Sequence, residues 1–363
     1  MATMGARMAA YMFPGQGAQV VGMGKSLYER SPAARAVFDE VDASLQALLS
    51  RTLFEGPAAA LSRTSVTQPA LLAHSLASLR ALEEASRAGY LASPLPPAAC
   101  YLGHSVGEYA ALVAGGGLGL GEAACLLRLR GEAMQRAGDA AAAPTAMQAL
   151  LFSPPAPSLE ALRAACTQAC AAATTPAAAA ALAALNSPAQ AVLSGHASAV
   201  TRAVEILQQQ QQQQPSSFRV RRAVPLPVSA PFHSPLMAPA SAALQAALTA
   251  LSLAPLIAPL VAGHNARPAS SPADVAQALV QGVASPVLWG LCVEHVLQVP
   301  QRGGYSGGTG RGALFVEFGA GGGTLGALAR QCDSSGGAGR PKAEHLYFGA
   351  AEDLDRAAST ALW

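Results

Sequence analysis

Apolar positions along the chain fall into two rhythms, short continuous runs and stripes at helical spacing. Residues 8–13 read as a strand that stops in the loop Pro14-Gly15-Gln16-Gly17. Helical patches follow between 22 and 50, with a break at Ser31-Pro32. Thr67-Gln68-Pro69 opens a helix in which Leu71, Leu72, Ser75, Leu76 and Leu79 recur at helical spacing. Ala98–Leu102 is a short apolar strand. A helix runs from Val106 toward Gly115-Gly116-Gly117, and another covers about 121–137.

The rhythm changes near residue 144. Met147–Phe152, Gln190–Ser194 and Phe218–Val224 read as strands, and Ser158–Ala173 and Ala197–Gln209 as helices. This β-α-β-α-β run predicts a small subdomain over 144–226, set into a larger unit made of 8–143 and 227–350. Ala173–Ala184 and Gln208–Gln214 decorate it. Such homopolymers build no packed core and read as disordered or helix-extending insertions. Beyond Pro227–Met237 the pattern gives a helix near 238–250, a strand near Leu256–Val261 and a helix over 273–284 ending at Ser285-Pro286. A glycine-rich flexible loop spans Gln301–Gly312, Leu314–Phe318 is a strand running into Gly319–Gly323, and Thr324–Gln331 begins a helix. Strands and helices in this mixture predict an α/β protein.

Composition narrows the classes. The chain is 51% hydrophobic and 12% charged, but its apolar excess is mostly alanine broken by Pro, Gly, Ser and Gln, so no membrane span is expected. Twenty-three basic residues against 21 acidic ones, with no basic run carrying interleaved aromatics, argue against a nucleic-acid partner. Six scattered cysteines read as reduced thiols of an intracellular protein. Cys166 and Cys170 lie one helical turn apart, but no His or Cys cluster accompanies them, and no metal site is expected. The N-terminal stretch lacks the apolar core of a secretory signal, and any transit peptide is expected to be absent from this chain.

Candidate chemistry starts at Gly103-His104-Ser105-Val106-Gly107, a G-x-S-x-G between a strand and a helix. Small residues two before and two after the serine allow a tight turn, and the N–H of Val106 then points at a developing oxyanion. Of seven histidines, His233 stands out in the proline-bracketed loop Pro231-Phe232-His233-Ser234-Pro235, whereas His104 is expected to point away from the serine. No acid between Ser105 and His233 sits at the end of an apolar strand, so a backbone carbonyl is expected to orient the imidazole. Arg128 faces Glu132 at i,i+4, a surface pair. Arg130 shares the apolar face with Leu127 and Met134, where a guanidinium needs an anionic partner: a bound carboxylate, or a distant Asp or Glu in a structural ion pair.

FPGQGAQ (13–19), TQPALL (67–72), GHSVGEYAALVAGG (103–116), RGEAMQ (130–135), LNSPAQAVLSG (185–195), PLPVSAPFHSPLM (225–237) and SPVLW (285–289) together resemble the malonyl-CoA:acyl carrier protein transacylases, in family order over about residues 10–330. The resemblance implies a hydrolase-like three-layer α/β core with an inserted ferredoxin-like subdomain. It implies ping-pong transfer from malonyl-CoA to the phosphopantetheine thiol of an acyl carrier protein in fatty acid synthesis, with no cofactor or metal and a monomeric enzyme. It assigns Ser105 as nucleophile, His233 as general base and acid, Gln16 and Val106 as backbone oxyanion donors, and Arg130 as the carboxylate holder. Gln68, Asn186, Phe232 and Asn265 fall at pocket positions, Phe232 resembling malonyl-selective members. Two departures stand out: Gly282 replaces an amide side chain common in relatives, and Leu288 a usually polar residue. The low-complexity insertions resemble those of GC-rich algal genomes and point to a plastid stroma, with mitochondrion or a bacterial-type cytoplasm as alternatives. An acyltransferase unit of a polyketide or multifunctional fatty acid synthase is the nearest competing reading. A serine thioesterase is further off, disfavoured by Arg130 and the missing acid.

Overall fold

The computed structural model describes residues 9–153, 156–172, 178–213, 218–298, 312–334 and 342–360. A large unit opens on β1 (Ala9–Phe13) and runs through α1 (Lys25–Arg30), α2 (Pro32–Leu45), α3 (Leu49–Glu55), the single turn α4 (Ala58–Leu61) and α5 (Thr64–Arg87). It continues with β2 (Ala98–Gly103), α6 (Gly107–Ala114) and α7 (Leu120–Asp139). A subdomain then inserts β3 (Thr145–Ser153), α8 (Leu159–Ala171), β4 (Ala180–Ser187), β5 (Gln190–His196), α9 (Ala197–Gln213) and β6 (Arg219–Pro225). The chain returns through α10 (Ala238–Leu248), β7 (Leu260–Ala262), β8 (Arg267–Ala269), α11 (Pro272–Ala284) and α12 (Trp289–Gln298). It closes on β9 (Leu314–Phe318), α13 (Thr324–Ser334), β10 (Glu344–Phe348) and α14 (Ala351–Ser359).

The main sheet has the order β10-β9-β1-β2-β7-β8, with parallel pairing everywhere except between β7 and β8. Every residue of β1 and β9 is buried, so both faces of the sheet centre are covered, as parallel sheets require. The subdomain sheet is antiparallel in the order β4-β5-β3-β6, the arrangement of a ferredoxin-like β-α-β-β-α-β unit. Along β3 the side chains alternate. Leu150 and Phe152 enter the subdomain's own core with Leu162 and Val200, while Met147 and Ala149 join the core of the large unit. The subdomain sheet is thus one wall of the cleft between the two units.

Several elements differ from the sequence expectation. α5 begins at Thr64 rather than Thr67 and carries Pro69 inside it; its Arg63 cap makes no side-chain bond, so no capping residue marked the start. The alanine-rich tract read as decoration ends in the first part of β4, which pairs along β5. The glutamines extend α9 as far as Gln213, and Gln211 Oε1 accepts the Val220 N–H at 2.8 Å. α12, β8, β10 and α14 had no sequence signal strong enough to register. Met8, 173–177, Gln214 and all but the last residue of the 301–312 loop lie outside the described residues. No helix among the described residues is long and apolar enough to cross a membrane, and none of the six cysteines is in a disulfide among the described residues.

Candidate active site

The serine turn is built by close backbone approach. A Cβ on Gly103 would collide with the backbone of Glu108, and one on Gly107 with the carbonyl of Phe13 at the end of β1. Glycine at both positions lets β2 turn directly into α6, and the turn leaves Ser105 at φ 55°, a left-handed conformation that costs a non-glycine residue energy. His233 is held the same way at φ 57°, in the loop before the Pro235 turn. Strain at both residues is fixed by packing around them: Val106, Phe232 and His233 are all buried.

His233 Nε2 lies 2.8 Å from Ser105 Oγ. Its Nδ1–H donates to the carbonyls of Gly282 at 2.9 Å and Ser285 at 3.1 Å, groups left unpaired where α11 ends. No acid completes a triad; the helix end does that work, and Gly282 supplies its main chain, so its missing side chain costs the histidine nothing. Burial first, then the nearby Arg130 and His104, lower the His233 pKa to about 3, so the imidazole is a neutral acceptor for the serine proton.

Arg130 is buried on α7. Nη1 donates to Gln68 Oε1 at 2.8 Å, Nη2 lies 3.3 Å from Ser105 Oγ, and the guanidinium sits 5.6 Å from the centre of the Tyr109 ring. Nε has no hydrogen-bond partner, and among the described residues no carboxylate comes within 4.0 Å of it. This is a buried cation with donors to spare beside the Ser105 hydroxyl. Arg128 departs from expectation: it donates to Leu45 O at 2.8 Å, satisfying the last carbonyl of α2, while Glu132 lies 4.0 Å from Arg136.

Ser105, His233 and Arg130 open into a cavity of about 610 Å³, which Gln16, Gln68, Val106, Asn186 and Phe232 also line. The backbone N–H groups of Gln16 and Val106 find no acceptor among the described residues. Eight of the nine expected site residues therefore converge. Asn265 does not: it lies in the β7–β8 turn, its Oδ1 accepting the Arg267 N–H at 2.9 Å, in a separate depression.

Two residues at the site escaped sequence reasoning. His104 does point away from the serine, but it reaches the subdomain, its Nε2 2.9 Å from Asn186 Oδ1. Glu108 is buried and accepts the Gly263 N–H at 2.7 Å, tying α6 to the end of β7 while burial raises its pKa to about 7. A Cβ at Gly282 would approach this carboxylate to 3.3 Å. The signal available was its place three residues past the serine, but a glutamate in the first helical turn reads as surface.

A serine on a strand-to-helix turn, hydrogen-bonded to a neutral histidine and flanked by a buried guanidinium with no carboxylate partner among the described residues, is the arrangement of acyl-transferring α/β enzymes. Known proteins agree. The acyl transferase domain family matches residues 10–299. The acyl-carrier-protein-S-malonyltransferase of Bartonella henselae is 36% identical, with 97% of this chain and all of that one superposed at a TM-score of 0.78. A malonyl-transacylase solved in complex with a type II PKS acyl-carrier protein is 27% identical, covering 97% of this chain and 99% of that one at the same TM-score. The malonyl CoA-acyl carrier protein transacylase of Bacillus subtilis is 45% identical over 128 residues, 35% of this chain and 38% of that protein. The curated relatives are thus matched in sequence over well under half of their length. The chain belongs to the acyl transferase family, among its malonyl-CoA–acyl carrier protein transacylases.

Proposed function

We propose that this protein transfers the malonyl group of malonyl-CoA to the phosphopantetheine thiol of an acyl carrier protein, through a malonyl ester on Ser105. One observation carries the reading: Ser105 Oγ lies between the neutral His233 imidazole at 2.8 Å and the carboxylate-free guanidinium of Arg130 at 3.3 Å. A hydrolase of simple esters has no use for a buried cation at the acyl site. An enzyme handling an acyl group with its own carboxylate needs one.

Each group then has a task. Ser105 Oγ attacks the thioester carbonyl as its proton passes to His233 Nε2, with Nδ1–H kept on the two carbonyls at the end of α11. The negative charge that gathers on the carbonyl oxygen is received by the N–H groups of Val106 and Gln16. Collapse of the tetrahedral adduct breaks the carbon–sulfur bond, and CoA leaves as a thiol with the proton returned from His233. The carrier thiol repeats the sequence in reverse on the ester. Arg130, steadied by Gln68, holds the malonyl carboxylate, and Phe232 narrows the pocket beside it against an α-methyl group. The names of the solved and curated relatives support both substrates, and the structure with a bound carrier protein supports the acceptor.

Incubation with labelled malonyl-CoA tests the reading. The label should appear on the protein as a stable ester and pass to an added carrier protein, and Ser105→Ala should abolish it. Label retained in that variant would assign the nucleophile elsewhere.

A further inference from the structure

Ser105 and His233 are brought together from parts of the chain far apart in sequence. Ser105 belongs to the turn between β2 and α6, and His233 to the loop before α10. The carbonyls that hold its imidazole come from Gly282 and Ser285 at the end of α11. The 2.8 Å between Oγ and Nε2 therefore depends on where α11 ends relative to α6. Three residues past Ser105, in the first turn of α6, Glu108 reaches across that gap.

The two oxygens of its carboxyl face different elements. Oε1 accepts the Gly263 N–H at 2.7 Å, at the end of β7. The Gly263 carbonyl accepts the Leu288 N–H at 2.7 Å, and Leu288 lies three residues past Ser285. Oε2 has no hydrogen-bond partner among the described residues and faces Gly282. A Cβ on Gly282 would lie 3.3 Å from Oε2 and within 4 Å of no other atom outside its own stretch of chain. One side chain on the helix that follows Ser105 thus meets both segments whose carbonyls hold the imidazole.

A carboxyl is a costly choice for a simple tie. Glu108 is 4% exposed, forms no ion pair among the described residues and has a single hydrogen bond, so its burial is poorly offset. Fastening β7 to α6 needs one acceptor. The planar fork supplies a second oxygen at a fixed separation, and that oxygen is the one against α11.

We propose that Glu108 is a positioning residue for the Ser105–His233 pair, holding the end of α11 where the imidazole stays on the serine hydroxyl. This rests on the proposed acyl transfer through Ser105. Glu108 does not line the cavity that receives the acyl group, so its loss should change how fast the bound thioester reacts and not how well it binds.

Rapid-quench acylation by malonyl-CoA separates the two effects. Glu108→Ala should lower the saturated rate roughly tenfold to a hundredfold, the effect of misplacing a reacting group by up to an ångström, with the half-saturating concentration within about twofold. Glu108→Gln keeps the fork and its acceptor, and should restore the rate to within about threefold. The NMR signal of the His233 Nδ1 proton should shift in the alanine variant and return in the glutamine one. Gly282→Ala is an independent probe, because alanine favours the helix and its methyl group meets Oε2. By itself it should slow acylation about threefold to tenfold, and in the Glu108→Ala background it should add nothing. An unchanged rate in either alanine variant, a loss carried by the half-saturating concentration, a loss that glutamine does not rescue, or additive losses in the double variant would overturn the proposal. Should Glu108→Ala fail to fold, the Gly282→Ala rate decides alone. An unaltered protein that forms no malonyl ester fails instead on the acyl-transfer reading.

Discussion

At the scale of single residues, Arg130 and His233 both reach for the Ser105 hydroxyl, and their demands differ. In the proposed mechanism the histidine takes the proton; the arginine can only lend donors, which a substrate carboxylate would claim more strongly than a hydroxyl does. Arg130→Ala should therefore reduce use of malonyl-CoA about a hundredfold more than use of acetyl-CoA, the worth of a buried bidentate pair. Equal losses for the two, measured as kcat/KM, would make Arg130 a structural residue. The neutral His233 sets the pH response. Its pKa is lowered to about 3, so the base form persists as pH falls through the ordinary value of 6.5, and loss comes only near the lowered value or when the fold fails first. Rapid-quench rates of Ser105 acylation should be flat from pH 8 to pH 5, and an inflection near pH 6.5 would show an imidazole open to water. Ser105, His233 and Arg130 were legible because motif, apolar face and loop context all constrain them. The reach of His104 to Asn186, and of Arg128 to a carbonyl of α2, depends on packing between elements far apart in sequence, which spacing does not encode.

At the scale of elements, the catalytic pair sits between two helix ends. α6 presents its N-terminus at Ser105 and α11 its C-terminal carbonyls to His233, where the proposed mechanism develops negative and positive charge respectively. Both helix ends favour the charged arrangement without a buried acid. The turn that makes this possible tolerates no added atom: Gly107→Ala would push a methyl group into the Phe13 carbonyl and separate β1 from α6. A loss of stability of about 3 kcal/mol or more is expected in urea unfolding, whereas a cost under 1 kcal/mol would mean the turn yields. Ser31→Ala offers a milder case. Its hydroxyl caps α2 at Ala34 and donates to Glu84 at 2.6 Å, so removal should cost about 1–2 kcal/mol. Helix ends of this kind are readable, since Ser31-Pro32 marked the break in the sequence itself. β4 was not. Four of its eight residues are alanine, a helix former, and it is a strand because β5 pairs along it and packing leaves little room for larger side chains around Ala183.

At the scale of the whole molecule, buried titratable groups give the protein an acid-sensitive fold. The α/β class and the insertion of a subdomain were visible in the alternation of strand and helix patterns, but the proton balance was not, because it depends on which groups lose water. His74, His233 and His345 have pKa values lowered to about 4, 3 and 4, and burial lowers His104 as well. Below the unfolded value of 6.5 the unfolded chain binds protons at these positions that the folded protein refuses, so stability falls as pH falls. Glu108 and Glu317 oppose this. Burial raises both to about 7, so between 4.5 and 7 the folded protein holds protons the unfolded chain lacks. Burial lowers His264 too, so five histidines stand against two carboxyl groups and leave the histidines ahead. Stability should drop by about 1.4 kcal/mol or more per pH unit between pH 6 and pH 5. His345 isolates one contribution. It stacks on Phe315 with ring centres 5.0 Å apart, and neither ring nitrogen has a hydrogen-bond partner, so His345→Phe keeps the packing and removes the titration. Thermal or urea unfolding across this range should show the variant's acid slope reduced by up to about 1.4 kcal/mol per pH unit, one proton's share less what partial exposure already screens. An unchanged slope would mean that His345 is protonated in the folded protein, and that the acid sensitivity resides in the other lowered histidines, His74, His104, His233 and His264.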